Sequence, residues 1–387
     1  MTHPDPGSTS FDVVIIGAGS SGLAIAWELK QQGISACLIE QTDRVAASWR
    51  TRHEQLRLNT NRWYSHQPGM RIPARYGLLP RRDDYIAYLE AYATALGAPM
   101  RFGAAVRRLD PMNDQRWWIR TDDETLTTRH VIVATGSERV PVFPEWPGRA
   151  DFRGELIHAA SFRHADDYIG RRVLLVGVAN SAVDIGNYLA RVGTQEVWVS
   201  ARSGASIVPL RLFGVPGHTF LVMMEELGLP RTFQDAVVTM LSRILFGDLS
   251  RFGFPRPTKG PVAQHRDDGV SVAADNGFVA AVKSGRFKVV PTIESLTHDS
   301  VRLTDGRILR PDAIICATGY RPGLEDLVGH LDVLDARGAP RRHADQAQDG
   351  LPGLWFFGCN ASIYGGMNSR RREAKKLSRR IAALLGR

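Results

Sequence analysis

The chain has 387 residues, 43% of them hydrophobic, which is enough for two main domains with sizeable cores. Its net charge is +9, but the arginines are scattered and no nucleic-acid-binding signature occurs, so nucleic-acid binding is not expected. Cys37, Cys316 and Cys359 are far apart and the histidines form no ligand-spaced cluster, which argues against a dithiol relay and against a metal site.

The first predicted elements are a buried strand at residues 11–16, a glycine-rich turn and a helix at residues 23–33. The turn reads G-x-G-x-x-G, in the context that places a dinucleotide pyrophosphate at a helix N-terminus. The cofactor contacts predicted in this turn are Gly17, Gly19, Ser21 and Gly22.

Glu40 follows the next predicted strand, at residues 35–39. A carboxylate at this position accepts hydrogen bonds from a ribose 2′-hydroxyl and repels a 2′-phosphate. The first site therefore suits FAD or NAD and not NADP.

A strand at residues 131–136 closes this first unit, after a meander-like stretch with a turn at Asp122-Asp123. The strand ends in Ala-Thr-Gly, small residues that let the backbone lie close to a cofactor. Further cofactor contacts predicted in this unit are Val106, Ala134, Thr135 and Gly136.

A second strand–turn–helix unit is predicted at residues 172–191. Ala179 replaces the second glycine of the turn, so its methyl group would slightly crowd a pyrophosphate. After the next strand, at residues 196–200, Arg202 stands where an acid would exclude a 2′-phosphate, so the site suits NADPH. The alternative is a degenerate nucleotide fold that binds nothing. The cofactor contacts predicted here are Gly177, Asn180, Ser181, Ser200 and Arg202.

The second unit closes like the first, with a strand that ends in Ala317, Thr318 and Gly319, all predicted cofactor contacts. The chain therefore repeats one nucleotide-binding unit. We expect an α/β fold with two Rossmann-like domains. The FAD domain comprises residues 11–166 and 321–387, and the inserted NADPH domain comprises residues 167–320, with a partly helical substrate-side insertion at 211–290.

The segment between the units reads F-x-G-x-x-x-H-x-x-x-F, from Phe152 through His158 to Phe162. Flanked by two dinucleotide turns, it resembles the identifying motif of class B flavin monooxygenases. Phe162-Arg163 resembles the flavin-containing (N/S-oxygenating) monooxygenases and the plant YUCCA enzymes, and residues 247–288 are most similar to the YUCCA branch. We expect His158 to be structural.

This resemblance implies FAD and NADPH as cofactors. NADPH reduces the flavin, which adds O₂ at C4a, and the resulting (hydro)peroxyflavin oxygenates a nitrogen or sulfur atom or attacks a 2-oxo acid such as indole-3-pyruvate. It also implies that Asn59 is catalytic at the flavin edge, although Asn61 is close enough to be the aligned residue instead. Trp49, Asn360 and Met367 are the remaining cofactor contacts that it implies.

Two other functions stay open: an NADPH-consuming flavin oxidase or reductase that releases H₂O₂, and a cofactor-bound protein without turnover. The first ten residues are polar and no apolar stretch reaches transmembrane length. We expect a cytoplasmic enzyme with small-molecule partners, O₂ and no stable membrane insertion; a homodimer is compatible with the chain. The apolar residues 220–246 are interpreted as amphipathic helices that cover a substrate channel.

Overall fold

Strands and helices alternate along the chain, and the strands form two main sheets. The computed structural model describes residues 11–204, 206–359 and 366–387. Its strands are β1 (Phe11–Ile16), β2 (Ala36–Ile39), β3 (Met100–Arg101), β4 (Val106–Pro111), β5 (Trp117–Thr121), β6 (Thr125–Val133), β7 (Val140–Pro141), β8 (Glu155–His158), β9 (Arg172–Val176), β10 (Glu196–Ser200), β11 (Ile207–Pro209), β12 (Arg211–Leu212), β13 (Val215–Pro216), β14 (Ala273–Asp275), β15 (Phe287–Val290), β16 (Ile293–Leu296), β17 (Val301–Leu303), β18 (Ile308–Leu309), β19 (Ala313–Cys316), β20 (Tyr320–Arg321) and β21 (Leu354–Phe356). Its α-helices are α1 (Ser20–Gln31), α2 (Ala47–Arg50), α3 (Arg62–Ser65), α4 (Arg82–Leu96), α5 (Asn180–Leu189), α6 (His218–Glu226), α7 (Arg231–Phe246), α8 (Pro261–Asp268), α9 (Phe278–Lys283), α10 (Glu325–Val328) and α11 (Gly366–Leu384).

The first sheet has seven strands in the order β3-β2-β1-β6-β5-β4, with β21 also paired to β6. The long strand β6 has different partners along its length. Its first half pairs antiparallel with β5, and its second half lies parallel between β1 and β21. Residues Val13–Ile16 of β1 are buried, as expected for a parallel strand covered on both faces. Helices α1 and α11 pack together on this sheet.

The second sheet has five parallel strands in the order β15-β10-β9-β19-β8. Its central strands are apolar and almost fully buried, because α5 and α9 cover one face and the small β16–β17–β18 meander packs on the other. The predicted fold class, α/β with two Rossmann-like units, is thereby confirmed.

Two predicted boundaries are wrong. β8 (Glu155–His158) pairs with β19 in the second sheet, so the first unit does not extend to residue 166. β15 (Phe287–Val290) is an edge strand of the same sheet, so the predicted insertion at 211–290 ends too late. The insertion leaves the unit after β11 and returns at β14, and these two strands pair in parallel at its base. Strand pairing over long sequence distances set both boundaries, which a local pattern does not reveal.

A short antiparallel ribbon joins the two units. It consists of β7 and β20, in which Val140 is paired with Arg321 and Pro141 with Tyr320. The chain crosses from one sheet to the other at this ribbon: β7 comes after β6 of the first sheet, and β20 comes after β19 of the second.

The apolar residues 220–246 form α6 and α7, as predicted. Leu227 and Ile244, in this part of the insertion, are 67% and 70% exposed. Among the residues that the structure describes, no helix combines the length and the apolar character needed to span a bilayer.

Candidate active site between the two units

The first glycine turn is built so that two of its glycines cannot carry a side chain. Gly17 has a φ of +108°, and a Cβ there would lie 2.8 Å from the carbonyl oxygen of Ala134. A Cβ on Gly22 would lie 1.9 Å from the carbonyl oxygen of Gly17. The N–H of Gly17 donates a hydrogen bond to Ile39 O at 2.7 Å, which ties the turn to β2. The turn and the predicted contact Ala134 are therefore adjacent.

Gly19 caps α1 in an extended conformation, with φ −82° and ψ −173°. A Cβ there would meet no atom within 4 Å, so space is open in front of the helix N-terminus. Ser21 lies two residues further, close enough to Gly358 that a Cβ on that glycine would be 2.1 Å from Ser21 Oγ. This side of the turn therefore faces the segment that follows β21.

Glu40 is buried beside the same turn. Its Oε2 accepts a hydrogen bond from the N–H of Ala18 at 2.9 Å, and its Oε1 accepts one from the N–H of Thr42 at 3.1 Å. Ala104 donates its N–H to the backbone oxygen of Glu40 at 3.0 Å, which brings Val106, two residues on, to this end of the sheet. The structure thus gathers the predicted ribose-binding acid with the turn.

The residues that follow β6 offer a hydroxyl group and space to a polar ligand bound at this turn. The Oγ1 of Thr135 is buried and has no hydrogen-bond partner in the described part of the chain. Gly136 has a φ of +84°, and no described residue lies within 4 Å of the place of its Cβ. An unpartnered hydroxyl and open space beside the turn fit a dinucleotide there.

Trp49 and Met367 meet at one tyrosine. The Trp49 ring packs edge-on against Tyr85 at 4.7 Å between centroids, and the Tyr85 hydroxyl donates a hydrogen bond to Met367 Sδ at 2.8 Å. The predicted contact Asn360 lies outside the described residues.

The second turn has the same backbone geometry as the first. Gly177 has a φ of +110°, its N–H donates to Ser200 O at 2.9 Å, and a Cβ there would lie 2.6 Å from Ala317 O. Ala179 caps α5 with φ −83° and ψ −175°, almost the values of Gly19. The turn therefore tolerates alanine without backbone strain.

The other predicted contacts of the second unit surround this turn. Ser181 lies in the first turn of α5. The hydroxyl of Ser200 is buried and donates to Pro291 O at 2.9 Å, and that of Thr318 donates to Val142 O. Gly319 accepts a hydrogen bond from the N–H of Val142 at 3.0 Å. Both hydroxyls are thus engaged by protein carbonyls.

Arg202 differs from these neighbours. Its side chain is exposed, and it makes no hydrogen bond or ion pair with the residues that the structure describes. The guanidinium is therefore available to an anionic group at the end of β10.

The first unit meets the second turn through a pair of amides. Asn59 Nδ2 donates a hydrogen bond to Asn180 Oδ1 at 3.0 Å, across the boundary between the units. Asn61 is occupied elsewhere: its Oδ1 caps α3 by accepting from the N–H groups of Trp63 and Tyr64 at 3.0 and 3.1 Å. Of the two candidates, only Asn59 lies at the contact with the second turn.

His158 of the linking motif is neutral and held in one orientation. Its Nδ1 accepts a hydrogen bond from the N–H of Ala160 at 3.1 Å, so the proton is on Nε2, which donates to Gly319 O at 3.0 Å. Burial lowers its pKa below the ordinary value, against the opposing effect of the hydrogen bond to Gly319. This arrangement joins the motif to the closing strand of the second unit and fits the expected structural role.

Sequence reasoning missed a second contact between the units. His53 Nε2 donates a hydrogen bond to Asp184 Oδ2 at 2.8 Å, and the imidazole packs edge-on against Phe162 and Tyr188 at 5.6 and 5.4 Å between centroids. Its Nδ1 is buried without a partner in the described residues. His53 and Asp184 are 131 residues apart, so no local pattern marks them as a pair.

All three cysteines are buried and free, and none forms a disulfide. Within the described ranges, no group of three or more His, Cys, Asp and Glu residues could hold a metal ion. The groups around the two glycine turns are instead amides, hydroxyls and backbone N–H groups, which suit nucleotide binding.

Comparison with known proteins supports this interpretation. Residues 14–207 match the family model for pyridine nucleotide-disulphide oxidoreductases. Indole-3-pyruvate monooxygenase YUCCA1 of Oryza sativa subsp. japonica is 35% identical over 312 residues, covering 80% of this chain and 76% of the relative.

Solved structures agree in fold. A flavin-containing monooxygenase from Stenotrophomonas maltophilia superposes with a TM-score of 0.73 at 22% identity, over 97% of this chain and 99% of that chain. OTEMO in complex with FAD and NADP superposes with a TM-score of 0.70 at 17% identity, over 97% of this chain and 84% of that chain.

Proposed function

Because this chain belongs to the pyridine nucleotide-disulphide oxidoreductase family, as a class B flavin monooxygenase of the FMO/YUCCA type, we propose that it uses FAD, NADPH and O₂ to oxygenate a small 2-oxo acid. Indole-3-pyruvate is the substrate that we favour, since the relative with 35% identity is an indole-3-pyruvate monooxygenase. The bound flavin would accept a hydride from NADPH and activate O₂.

We assign FAD to the first turn and NADPH to the second. Glu40 would hold the FAD ribose, because its carboxylate is fixed beside the turn by Ala18 and Thr42. Arg202 would hold the 2′-phosphate of NADPH, because its guanidinium is exposed and makes no ion pair within the described residues.

The contact between Asn59 and Asn180, at 3.0 Å, is the observation that carries the proposal. It brings the residue expected at the flavin edge to the first residue of α5, where the second nucleotide would bind. Hydride transfer requires two cofactors to approach each other, and this contact joins the first unit to the second nucleotide turn. Asn59 would orient the flavin edge through its side-chain N–H group.

The insertion can shield this site from water. Asn61 Nδ2 donates a hydrogen bond to Thr219 Oγ1 at 2.8 Å, which fixes α6 against α3 beside Asn59. Glu225 of the same helix pairs with Arg372 of α11 at 3.3 Å. Exclusion of water favours oxygen transfer over wasteful release of peroxide.

With a 2-oxo acid the reaction would balance as an oxidative decarboxylation. One oxygen atom of O₂ enters the carboxylic acid product and the other leaves as water. NADPH supplies the hydride, a proton is taken up, and the substrate carboxyl group leaves as CO₂.

The test is turnover of the FAD-loaded enzyme with NADPH and ¹⁸O₂, using indole-3-pyruvate, a tertiary amine and a thioether in parallel. We expect one ¹⁸O atom in indole-3-acetate, by mass spectrometry, and NADPH consumption that matches product formation. If every NADPH yields one H₂O₂ with all three substrates, the protein is an oxidase. Product from the amine or thioether alone would retain the monooxygenase but reject the 2-oxo acid.

We also propose that the enzyme works in the cytoplasm as a homodimer. The three free, buried cysteines suit a reducing compartment. The exposed apolar side chains of Leu227 and Ile244 offer a surface for self-association. Sedimentation velocity would test the assembly. We expect a dimer for the wild type and a monomer for the double variant Leu227→Ser/Ile244→Ser. A wild type that sediments as a monomer would reject the proposal.

A further inference from the structure

A cavity of about 300 Å³ lies where the two units meet, away from both glycine turns. Arg57 and Arg81 line it from the first unit, and Tyr188 and Arg191 line it from the end of α5 and the residues that follow. His164 completes the basic side of its wall. Three guanidinium groups therefore face one small space.

Two of these arginines are directly opposite each other. Arg57 and Arg81 are partners in an isolated antiparallel β-bridge. Hydrogen bonds on both sides hold the bridge, from the N–H of Leu58 to Pro80 O at 2.9 Å and from the N–H of Arg82 to Leu56 O at 2.8 Å. Like charges directly opposite across a strand pair are destabilising, so this arrangement costs free energy unless an anion neutralises it.

No carboxylate lines the cavity. The acids around it already have partners: Asp166 pairs with His164 at 3.2 Å, Asp184 accepts from His53, and Asp84 accepts from the backbone N–H of Arg81 at 3.1 Å. The three arginines are exposed, and none of their guanidinium groups forms an ion pair with a described residue.

The guanidinium groups are nevertheless held by neutral contacts. Arg57 Nη1 donates to Leu79 O at 3.3 Å, and Arg191 Nη2 donates to Asn276 O at 3.1 Å. Arg191 also lies over the Tyr188 ring, 5.4 Å from its centroid. Arginines that are positioned but not neutralised are suited to bidentate hydrogen bonds with an oxyanion.

We propose that this cavity binds a phosphate-type oxyanion, which bridges Arg57 and Arg81 of the first unit to Arg191 of the second. The site is separate from the one assigned to the NADPH 2′-phosphate. Arg202 follows Ser200, which accepts from Gly177 in the turn at the start of α5, whereas Arg191 follows the other end of that helix, about 15 Å away for a helix of this length. The bound anion ties the two units together beside the His53–Asp184 contact.

The binding test uses FAD-loaded enzyme saturated with NADP⁺, so that the nucleotide sites are filled. Inorganic phosphate and pyrophosphate are titrated by isothermal calorimetry. We expect one site per chain, weakened roughly tenfold by Arg57→Gln and by Arg191→Gln. Arg302→Gln is the matched control, because Arg302 is exposed on β17 and has no ion pair among the described residues.

Absence of saturable binding of either anion would overturn the proposal. So would wild-type affinity in both Arg57→Gln and Arg191→Gln. Both outcomes are independent of the proposed oxygenation, because the titration needs no turnover.

Thermal unfolding gives a second test, because the direction of the change in melting temperature distinguishes an anion site from a purely structural role of the arginines. In anion-free buffer, Arg57→Gln should raise the melting temperature, because it removes the repulsion from Arg81. Phosphate should then raise the melting temperature of the wild type and of Arg302→Gln, but not that of Arg57→Gln. If Arg57→Gln melts lower without anion and phosphate stabilises all three proteins equally, the arginines are merely structural and the proposal fails.

Discussion

Asn59 and Asn61 are two residues apart, and their amide groups serve different elements. Asn61 is almost fully buried, and its amide caps α3 and binds Thr219. Asn59 is only partly buried and reaches across to Asn180. One asparagine therefore belongs to the scaffold, and the other to the contact between the first unit and the second nucleotide turn.

Replacing each asparagine by alanine should separate these roles. Asn61→Ala removes a helix cap and leaves Thr219 without a donor, so we expect the free energy of unfolding to fall by about 1–2 kcal/mol. Asn59→Ala should change it by less than about 0.5 kcal/mol but should raise the H₂O₂ released per NADPH consumed. Denaturant unfolding and a peroxide assay measure the two effects. Equal peroxide release from Asn59→Ala and the wild type would contradict the assignment of Asn59.

Arg202 is a single exposed charge at the end of β10. Arg202→Ala should reduce the preference for NADPH over NADH by about 1–3 kcal/mol in kcat/KM, because a charge-assisted hydrogen bond to the 2′-phosphate is lost. Turnover with NADH is the internal control and should stay close to the wild-type value. A wild type that uses both donors equally well would reject the role of this arginine.

At the scale of elements, the first glycine of each turn has no substitute, whereas the second can be alanine. Gly177 combines a positive φ with close approach to Ala317 O, whereas Ala179 has an ordinary extended backbone. The pattern G-x-G-x-x-G therefore contains positions of unequal importance. The first glycine fixes the shape of the turn, and the second controls how near a phosphate can come.

Gly177→Ala should destabilise the second turn by about 1–3 kcal/mol and slow flavin reduction by NADPH, because its Cβ would lie 2.6 Å from Ala317 O. FAD content should remain unchanged, since the first turn is untouched. Gly193→Ala is the matched control, because nothing lies within 4 Å of the place of its Cβ. Anaerobic reduction rates and flavin absorbance give both readouts. Normal reduction by the Gly177 variant would show that the turn does not bind NADPH.

A buried histidine in strand β6 should make the free energy of unfolding depend on pH. Burial, together with Arg129, lowers the pKa of His130 from 6.5 to about 4, although Asp12 acts in the opposite direction. The unfolded chain therefore binds more protons between these two values, and stability should fall as pH falls from 6.5 towards 4, by about 3 kcal/mol in total. His130→Gln keeps an acceptor for Trp355 Nε1 and should flatten this part of the curve. Denaturant unfolding at several pH values measures it; an unchanged slope in the variant would contradict the prediction.

At the scale of the whole molecule, two of the contacts between the units are made by residues of α5. Asn180 meets Asn59 at one end of this helix, and Asp184 meets His53 in its middle. Together with the β7–β20 ribbon, this helix therefore helps to fix the orientation of the second unit. Because that helix also begins at the nucleotide turn, the contacts between the units and the cofactor site share a support.

Asp184→Ala should slow flavin reduction by NADPH several-fold while FAD content stays normal, because the His53 imidazole loses the one hydrogen bond that it makes with the described residues, and the two units lose a contact. Asp184→Asn is the control, since it keeps an acceptor for His53 and should lie nearer to the wild type. Anaerobic stopped-flow absorbance measures the rates. If the alanine variant reduces its flavin at the wild-type rate, the His53–Asp184 contact does not set the orientation of the units.

The sequence predicted those features whose determinants are local. The glycine turns, Glu40 and the Ala-Thr-Gly strand ends are read from short patterns, and the structure brings Glu40 to within hydrogen-bonding distance of Ala18. Pairing over long distances was not predictable. Nothing in the four residues of β8 indicates that they pair with β19. Asn59 and Asn180 are 121 positions apart, so no local pattern indicates their contact.

The first sheet is completed by a late part of the chain. β21 pairs with the second half of β6, and α11 packs on α1, yet both follow every strand of the second sheet in the sequence. On the ribosome, where domains form as they emerge, the second unit can close while β6 still has an open edge. We therefore expect the flavin unit to close after the nicotinamide unit, and the flavin to be acquired late in the biogenesis of this enzyme.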